Sequence, residues 1–271
     1  MKISVSFATF NGADASPILF MGNAERAIPT IAELGYDGVD FFSRNPSDYE
    51  ERKAARMLEK NNLGVGVVMP AALAGEGLTM SDPDEAVREE FMRRIRPIID
   101  FASDMGGMVS MGLIRGSKRP EEQDEVFFDR FADSCRRMLD MAERKNVPLV
   151  IEPINRSEIN TLNSSIESYD FIRKYDLPVY LMLDTFHMFQ EDDSVLRSLE
   201  VCRDYIKHIH FLDSNRLAPG MGDRDMEQIY GKIKDLGYDG YLCLEALRRP
   251  DGLTVAKKGI EFFRKIGVKR G

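Results

Sequence analysis

Two hydrophobic rhythms alternate along the chain. Short apolar, β-branched runs recur at 3–10 (ISVSFATF), 38–42 (GVDFF), 64–69 (GVGVVM), 107–114 (GMVSMGLI), 148–153 (PLVIEP), 179–186 (VYLMLDTF), 207–213 (KHIHFLD) and 241–247 (YLCLEAL). Each is too short for an amphipathic helix and too continuous for a strand with one wet face, so buried parallel strands are expected. Between the runs the period becomes helical. Val87, Phe91, Ile95, Ile98 and Ala102 advance by four, four, three and four, with Asp82-Pro83 expected to cap and start that helix. Pro97 lies inside it and should kink it. Phe128, Phe131, Cys135, Met138 and Ala142 repeat the pattern. Eight strand–helix units predict an α/β fold, a single (β/α)8 barrel in which residues 1–271 form one domain.

A small repeat agrees with this plan. The pentapeptide LGYDG occurs at 34–38 and again at 236–240, each time between a helical pattern and a strand. Gly35 and Gly237 are expected to take the left-handed conformation that ends a helix. Such turns lie on the face of a barrel opposite its active site, so the repeat concerns folding.

The strand ends carry the candidate chemistry. In barrel enzymes the active site lies at the C-terminal ends of the strands. Strands five to eight end in Glu152, Asp184, His210 and Glu245, each directly after an apolar run. Three carboxylates drawn together without a cation would repel one another. A divalent metal removes that repulsion, and three oxygen donors with one imidazole suit Mn²⁺, Mg²⁺ or Co²⁺ better than a thiolate-preferring ion. An acidic residue at a single strand end is usually a loop charge or a helix cap; four on consecutive strands, one of them among only three histidines, argue for a metal site. His187 is expected in the loop beyond Asp184, above the metal. His208 sits one layer deeper than His210 and reads as a core histidine held by a hydrogen bond.

Composition narrows the partners. The 37 basic and 45 acidic residues give a net charge of −8 and a pI near 5.1, without the positive footprint that nucleic acid or an anionic membrane requires. No membrane span or signal peptide is read in MKISVSFATF. Three cysteines without C-x-x-C spacing read as reduced thiols of a cytoplasmic protein. A homo-oligomer, dimer or tetramer, is compatible with the chain. In the loop IRGSKRP, the basic residues Arg115, Lys118 and Arg119 are expected at the upper face of the barrel. They read as a solvated loop or subunit contact, or alternatively as a grip for a phosphate or carboxylate.

The stretches IEPINRSE (151–158), LMLDTFHM (181–188), HIHFLDSNRLAPGMGD (208–223) and GYDGYLCLE (237–245) resemble the xylose-isomerase-like sugar isomerase/epimerase superfamily, and within it the D-tagatose/D-psicose ketose 3-epimerases. The resemblance covers the C-terminal half closely; the N-terminal half matches in barrel layout and in Phe7. It implies that Glu152, Asp184, His210 and Glu245 bind one divalent ion, Mn²⁺ ahead of Mg²⁺ or Co²⁺. It also implies Glu152 and Glu245 as the acid/base pair, and Glu158, His187, Arg216 and Phe7 as substrate contacts. The implied activity is C3 epimerisation of a ketose, free or phosphorylated, through an enediolate. This chain departs from the group in having no tryptophan to wall the sugar. The rivals are an aldose–ketose or hydroxypyruvate-type isomerase, an inosose or dehydroshikimate-type dehydratase, and a non-catalytic sugar-binding barrel.

Overall fold

A computed structural model describes residues 1–268. Eight strands form the barrel: β1 (Lys2–Ala8), β2 (Gly38–Phe42), β3 (Gly64–Met69), β4 (Met108–Met111), β5 (Leu149–Ile151), β6 (Tyr180–Asp184), β7 (Ile206–His210) and β8 (Tyr241–Leu244). Every neighbouring pair is parallel, and pairing of β1 with β8 from Lys2↔Tyr241 to Val5↔Leu244 closes the ring. Helices follow the strands and cover the ring, so each strand is buried on both faces. This is the (β/α)8 barrel that the apolar runs predict.

Side-chain alternation divides the interior in two. On β1, Ile3, Val5 and Phe7 join the large core between strands and helices, together with Ile28, Ile31 and Phe101. Ala8 joins a smaller cluster with Phe42, Val67, Met69, Val150 and Met182. Ser4 and Ser6 face inward with it. Ser4 Oγ donates to Asp40 at 3.1 Å, and Ser6 Oγ to the Leu244 carbonyl at 3.1 Å. Successive strand residues point to opposite faces, so one position decides between helix layer and barrel lumen.

The local expectations fare unevenly. Gly35 and Gly237 have φ of 98° and 76°, so both copies of LGYDG end a helix as expected. The helix Glu85–Met105 runs unbroken through Pro97 and buries Phe91, Ile95, Ile98 and Ala102. Its cap is Asp84, whose carboxylate accepts from Ala86 N, while Asp82 instead accepts from Asp84 N one turn earlier. The fourth apolar run is a strand only to Met111; Leu113–Arg115 turn into a 3₁₀ segment. The sequence reading also misses a two-residue strand, Phe20–Met21, that pairs with Phe7 and Ala8 at the mouth of β1. Among the described residues, no helix is long and apolar enough to cross a membrane.

Candidate active site at the barrel mouth

Asp184 and His210 are the last residues of β6 and β7 and stand opposite each other in register. Glu152 and Glu245 directly follow β5 and β8. The four side chains are almost fully buried, and one ligand-type atom from each lies within 4.8 Å of all the others. His210 Nδ1 is 3.5 Å from Glu152 Oε1, 3.8 Å from Asp184 Oδ2 and 3.8 Å from Glu245 Oε2. Both His210 Nδ1 and Asp184 Oδ2 are buried without a hydrogen-bond partner. Buried polar atoms are normally paired, so two orphans aimed at one point mark a place for a cation. The donor set of three carboxylates and an imidazole fits a divalent ion of the Mn²⁺ or Mg²⁺ kind.

Each arm of the cluster is held from behind. Asp184 Oδ1 accepts from Phe186 N at 2.8 Å, which caps the helix Thr185–Glu191 and leaves Oδ2 free to face the cluster. His210 Nε2 lies 3.1 Å from Asp40 Oδ2, and the same oxygen lies 2.6 Å from His208 Nε2. His208 is fully buried, as a hydrogen-bonded core histidine should be. Behind Glu152, the Arg115 guanidinium donates to the Glu152 carbonyl at 2.7 Å and to the Thr161 carbonyl at 2.8 Å.

The proposed substrate residues also gather here, with one exception. His187 is in the first turn of the helix after Asp184, not in a loop, and is buried with Nε2 at 3.7 Å from Asp184 Oδ2. Asn155 Nδ2 donates to His187 Nδ1 at 2.8 Å and to Glu158 Oε1 at 3.0 Å. An amide nitrogen can only donate, which places the ring proton on Nε2, facing the cluster. Arg216 donates to Glu158 at 2.9 Å and to Glu245 at 2.9 Å, its guanidinium 4.9 Å from the Phe186 ring. Its backbone is left-handed, φ 57°, in a loop organised by buried Asp213, which accepts from the backbone N–H groups of Ser214, Gly220 and Arg224.

Phe7 is the exception. It is fully buried in the outer core, edge-on to Phe41 at 5.4 Å between ring centres, and does not line the cavity. Strand parity is the reason, since Ala8 takes the inward position. The aromatic wall comes instead from Phe10 and Phe42. The basic loop needs a second correction. Arg115 is fully buried and occupied by backbone carbonyls, Lys118 pairs with Asp124 at 2.7 Å, and neither these two nor Arg119 lines the cavity. Arg44 does line it, 3.9 Å from the Phe10 ring centre and without an ion pair among the described residues.

Electrostatics follow the crowding of acids. Burial, with the charges of Glu152 and Asp184, pushes the Glu245 carboxyl up to about 8 against the pull of His210 and Arg216. Burial alone would lower His210, but the charge of Glu245 and contacts with Asp184, Asp40 and Glu152 raise it well above an ordinary imidazole. Burial lowers His187, opposed by Asp184. The cavity above the cluster has a volume of about 240 Å³ and opens to solvent. Glu152, Glu158, His187, Arg216 and Glu245 supply polar lining, and Phe10, Ile18, Phe42, Met69 and Ile154 supply apolar lining.

A closed parallel barrel with a buried carboxylate–imidazole cluster at the C-terminal ends of its strands defines a barrel of the enzyme type. The chain belongs to the xylose isomerase-like TIM barrel family, whose sequence pattern matches residues 28–266. The D-psicose 3-epimerase of Ruminiclostridium cellulolyticum is 27% identical over 248 residues, covering 88% of this chain and 83% of the relative. The 3-dehydro-D-guloside 4-epimerase of Escherichia coli is 25% identical over 244 residues, covering 86% and 91%. These relatives are sugar epimerases, enzymes of the isomerase class. The crystal structure of a Methylomonas D-allulose 3-epimerase in complex with D-allulose superposes with a TM-score of 0.81 at 21% identity, covering 97% of each chain; it shows the same fold.

Proposed function

We propose that this chain is a metal-dependent ketose 3-epimerase. The observation that carries the reading is the convergence of Glu152, Asp184, His210 and Glu245 in one buried cluster with two orphaned atoms. These four residues would hold one divalent ion, Mn²⁺ ahead of Mg²⁺ or Co²⁺, which when bound supplies Lewis-acid polarisation of the substrate's oxygens. The rest of the chemistry belongs to the chain. The C3 hydrogen of a ketose lies beside the C2 carbonyl, so its removal as a proton leaves an enediolate. One glutamate of the pair Glu152/Glu245 takes that proton, and the other returns a proton to the opposite face of C3. Arg216, His187 and Glu158 hold the oxygens around the reacting carbons, the first two through charge-assisted or N–H donation.

The apolar lining and Arg44 bear on the substrate. A ketose bearing a phosphate or carboxylate would set that group against Arg44, so anionic ketoses belong beside neutral ones in the substrate panel. We further take residues 1–271 as one domain of a cytoplasmic enzyme. Incubation of Mn²⁺-loaded protein with the panel in D₂O, followed by NMR, tests the reaction directly. Deuterium at C3 of an epimerised ketose is expected; deuterium at C1 with an aldose product would instead establish the isomerase.

Two further outcomes follow from the site. Metal analysis should find one divalent ion per chain, and chelation should abolish turnover until the ion is restored. Full activity in metal-free protein would end the metal reading. Arg216→Ala should lower kcat/KM by at least about tenfold, equivalent to about 1.4 kcal/mol of transition-state stabilisation. Unchanged kinetics would leave Arg216 as a structural partner of Glu158 and Glu245.

A further inference from the structure

Beneath the candidate metal centre lies a second polar group that the proposed reaction does not use. Asp40, on β2, is fully buried in the barrel lumen. Its Oδ2 lies 2.6 Å from His208 Nε2 and 3.1 Å from His210 Nε2, and its Oδ1 accepts from Ser4 Oγ at 3.1 Å. One carboxylate therefore ties together β1, β2 and β7 inside the barrel lumen. A carboxylate can only accept, so both ring nitrogens facing it carry protons. With one proton on Nε2, the His210 ring turns Nδ1, the orphaned atom of the cluster, toward Glu152, Asp184 and Glu245, where a bound cation would replace any second proton.

The neighbouring strand makes room for this arrangement. A Cβ at Gly66, on β3, would lie 2.7 Å from Asp40 Oδ1 and 2.9 Å from His208 Cε1. Glycine at this position has a reason independent of backbone conformation: the Asp40–His208 pair occupies the volume that a side chain would need.

We propose that Asp40 is the positioning residue of the centre, fixing the orientation and tautomer of His210 so that Nδ1 faces the metal. His208 occupies the remaining capacity of the same oxygen and holds the carboxylate in place. The inference rests on the metal reading above. Partners of this kind orient a ligating imidazole and raise its basicity, and their loss weakens metal binding by about 10–100-fold.

Chelator competition on wild-type and Asp40→Asn protein tests it. The variant should bind Mn²⁺ about 10–100-fold more weakly, and excess Mn²⁺ should recover most of the lost kcat. Gly66→Ala, which touches no ligand, should weaken Mn²⁺ binding in the same direction. In Mg²⁺-loaded wild-type protein, ¹⁵N NMR of the three histidine rings should show His210 protonated at Nε2. That proton should resonate far downfield, as one bonded to a carboxylate does, and move upfield in Asp40→Asn. Equal Mn²⁺ affinity in a folded Asp40→Asn protein overturns the inference, as does a His210 ring protonated at Nδ1. Two Mn²⁺ per chain, the second lost in Asp40→Asn, would make Asp40 a ligand and also overturn it. If the variant does not fold, the wild-type ring tautomer decides alone. Failure of wild-type protein to bind metal would strike the parent reading, a result distinct from all of these.

Discussion

Replacing either Glu152 or Glu245 by Gln should reduce epimerisation by about 10³-fold at saturating metal, because each substitution keeps size while removing a proton-transfer group. Saturating Mn²⁺ matters, since both residues also sit in the cluster that would hold the ion. The two variants should then differ in one respect. With a single base remaining, C3–H exchange in D₂O should persist for only one epimer, and for the opposite epimer in the other variant. This complementarity is what separates acid/base residues on two faces from residues that merely bind. Equal residual exchange with both epimers in both variants would remove the pair from the chemistry. Retention of near wild-type turnover in either variant would do the same for that residue.

Arg115→Met should destabilise the fold by roughly 3 kcal/mol, because several buried backbone carbonyls lose their donor at once. The guanidinium is fully buried and donates to the carbonyls of Gly112, Glu152, Thr161 and Leu162. Burial lowers its pKa to about 10, with Glu152 and Glu167 opposing, so it remains a cation at neutral pH. Urea denaturation of the metal-free protein measures the loss without interference from ligand. Since one of its acceptors is the Glu152 backbone, kcat should fall as well. Unaltered stability combined with selective loss of anionic substrates would return Arg115 to the role of an anion grip.

The contrast between Arg115 and the four cluster residues shows what a single sequence carries. Glu152, Asp184, His210 and Glu245 each follow an apolar run, so the strand period alone places them together at one end of the barrel. Arg115 also follows such a run, but β4 stops at Met111, and the 3₁₀ turn over Leu113–Arg115 sends the side chain inward beneath the loop. Composition does not reveal that turn. Phe7 fails through parity: a strand boundary placed at residue 10 leaves the inward face undecided, and a shift of one position exchanges lumen for helix layer. Asn155 lies inside IEPINRSE, yet its role depends on contacts with His187 and Glu158 from other segments. Asp40 sits in GVDFF as a lone acid within a buried strand, and that was the available signal. Its partners, 168 and 170 residues away, exist only in the closed barrel.

The double use of Asp184 has a consequence for anyone who would redesign this centre. One of its oxygens faces the cluster while the other caps the helix that carries His187 three residues on. Lengthening this side chain to Glu would move a candidate ligand and unseat the start of that helix together, so two variables could not be tuned apart. His210 is bound to the strand system through Asp40, and Glu245 is engaged by Arg216. Glu152 is different, because Arg115 holds its backbone and not its carboxylate. Among the four, Glu152 is the position where the donor can be altered with its anchorage left intact, but the same exchange would remove a proton-transfer group, so metal preference and turnover would change together.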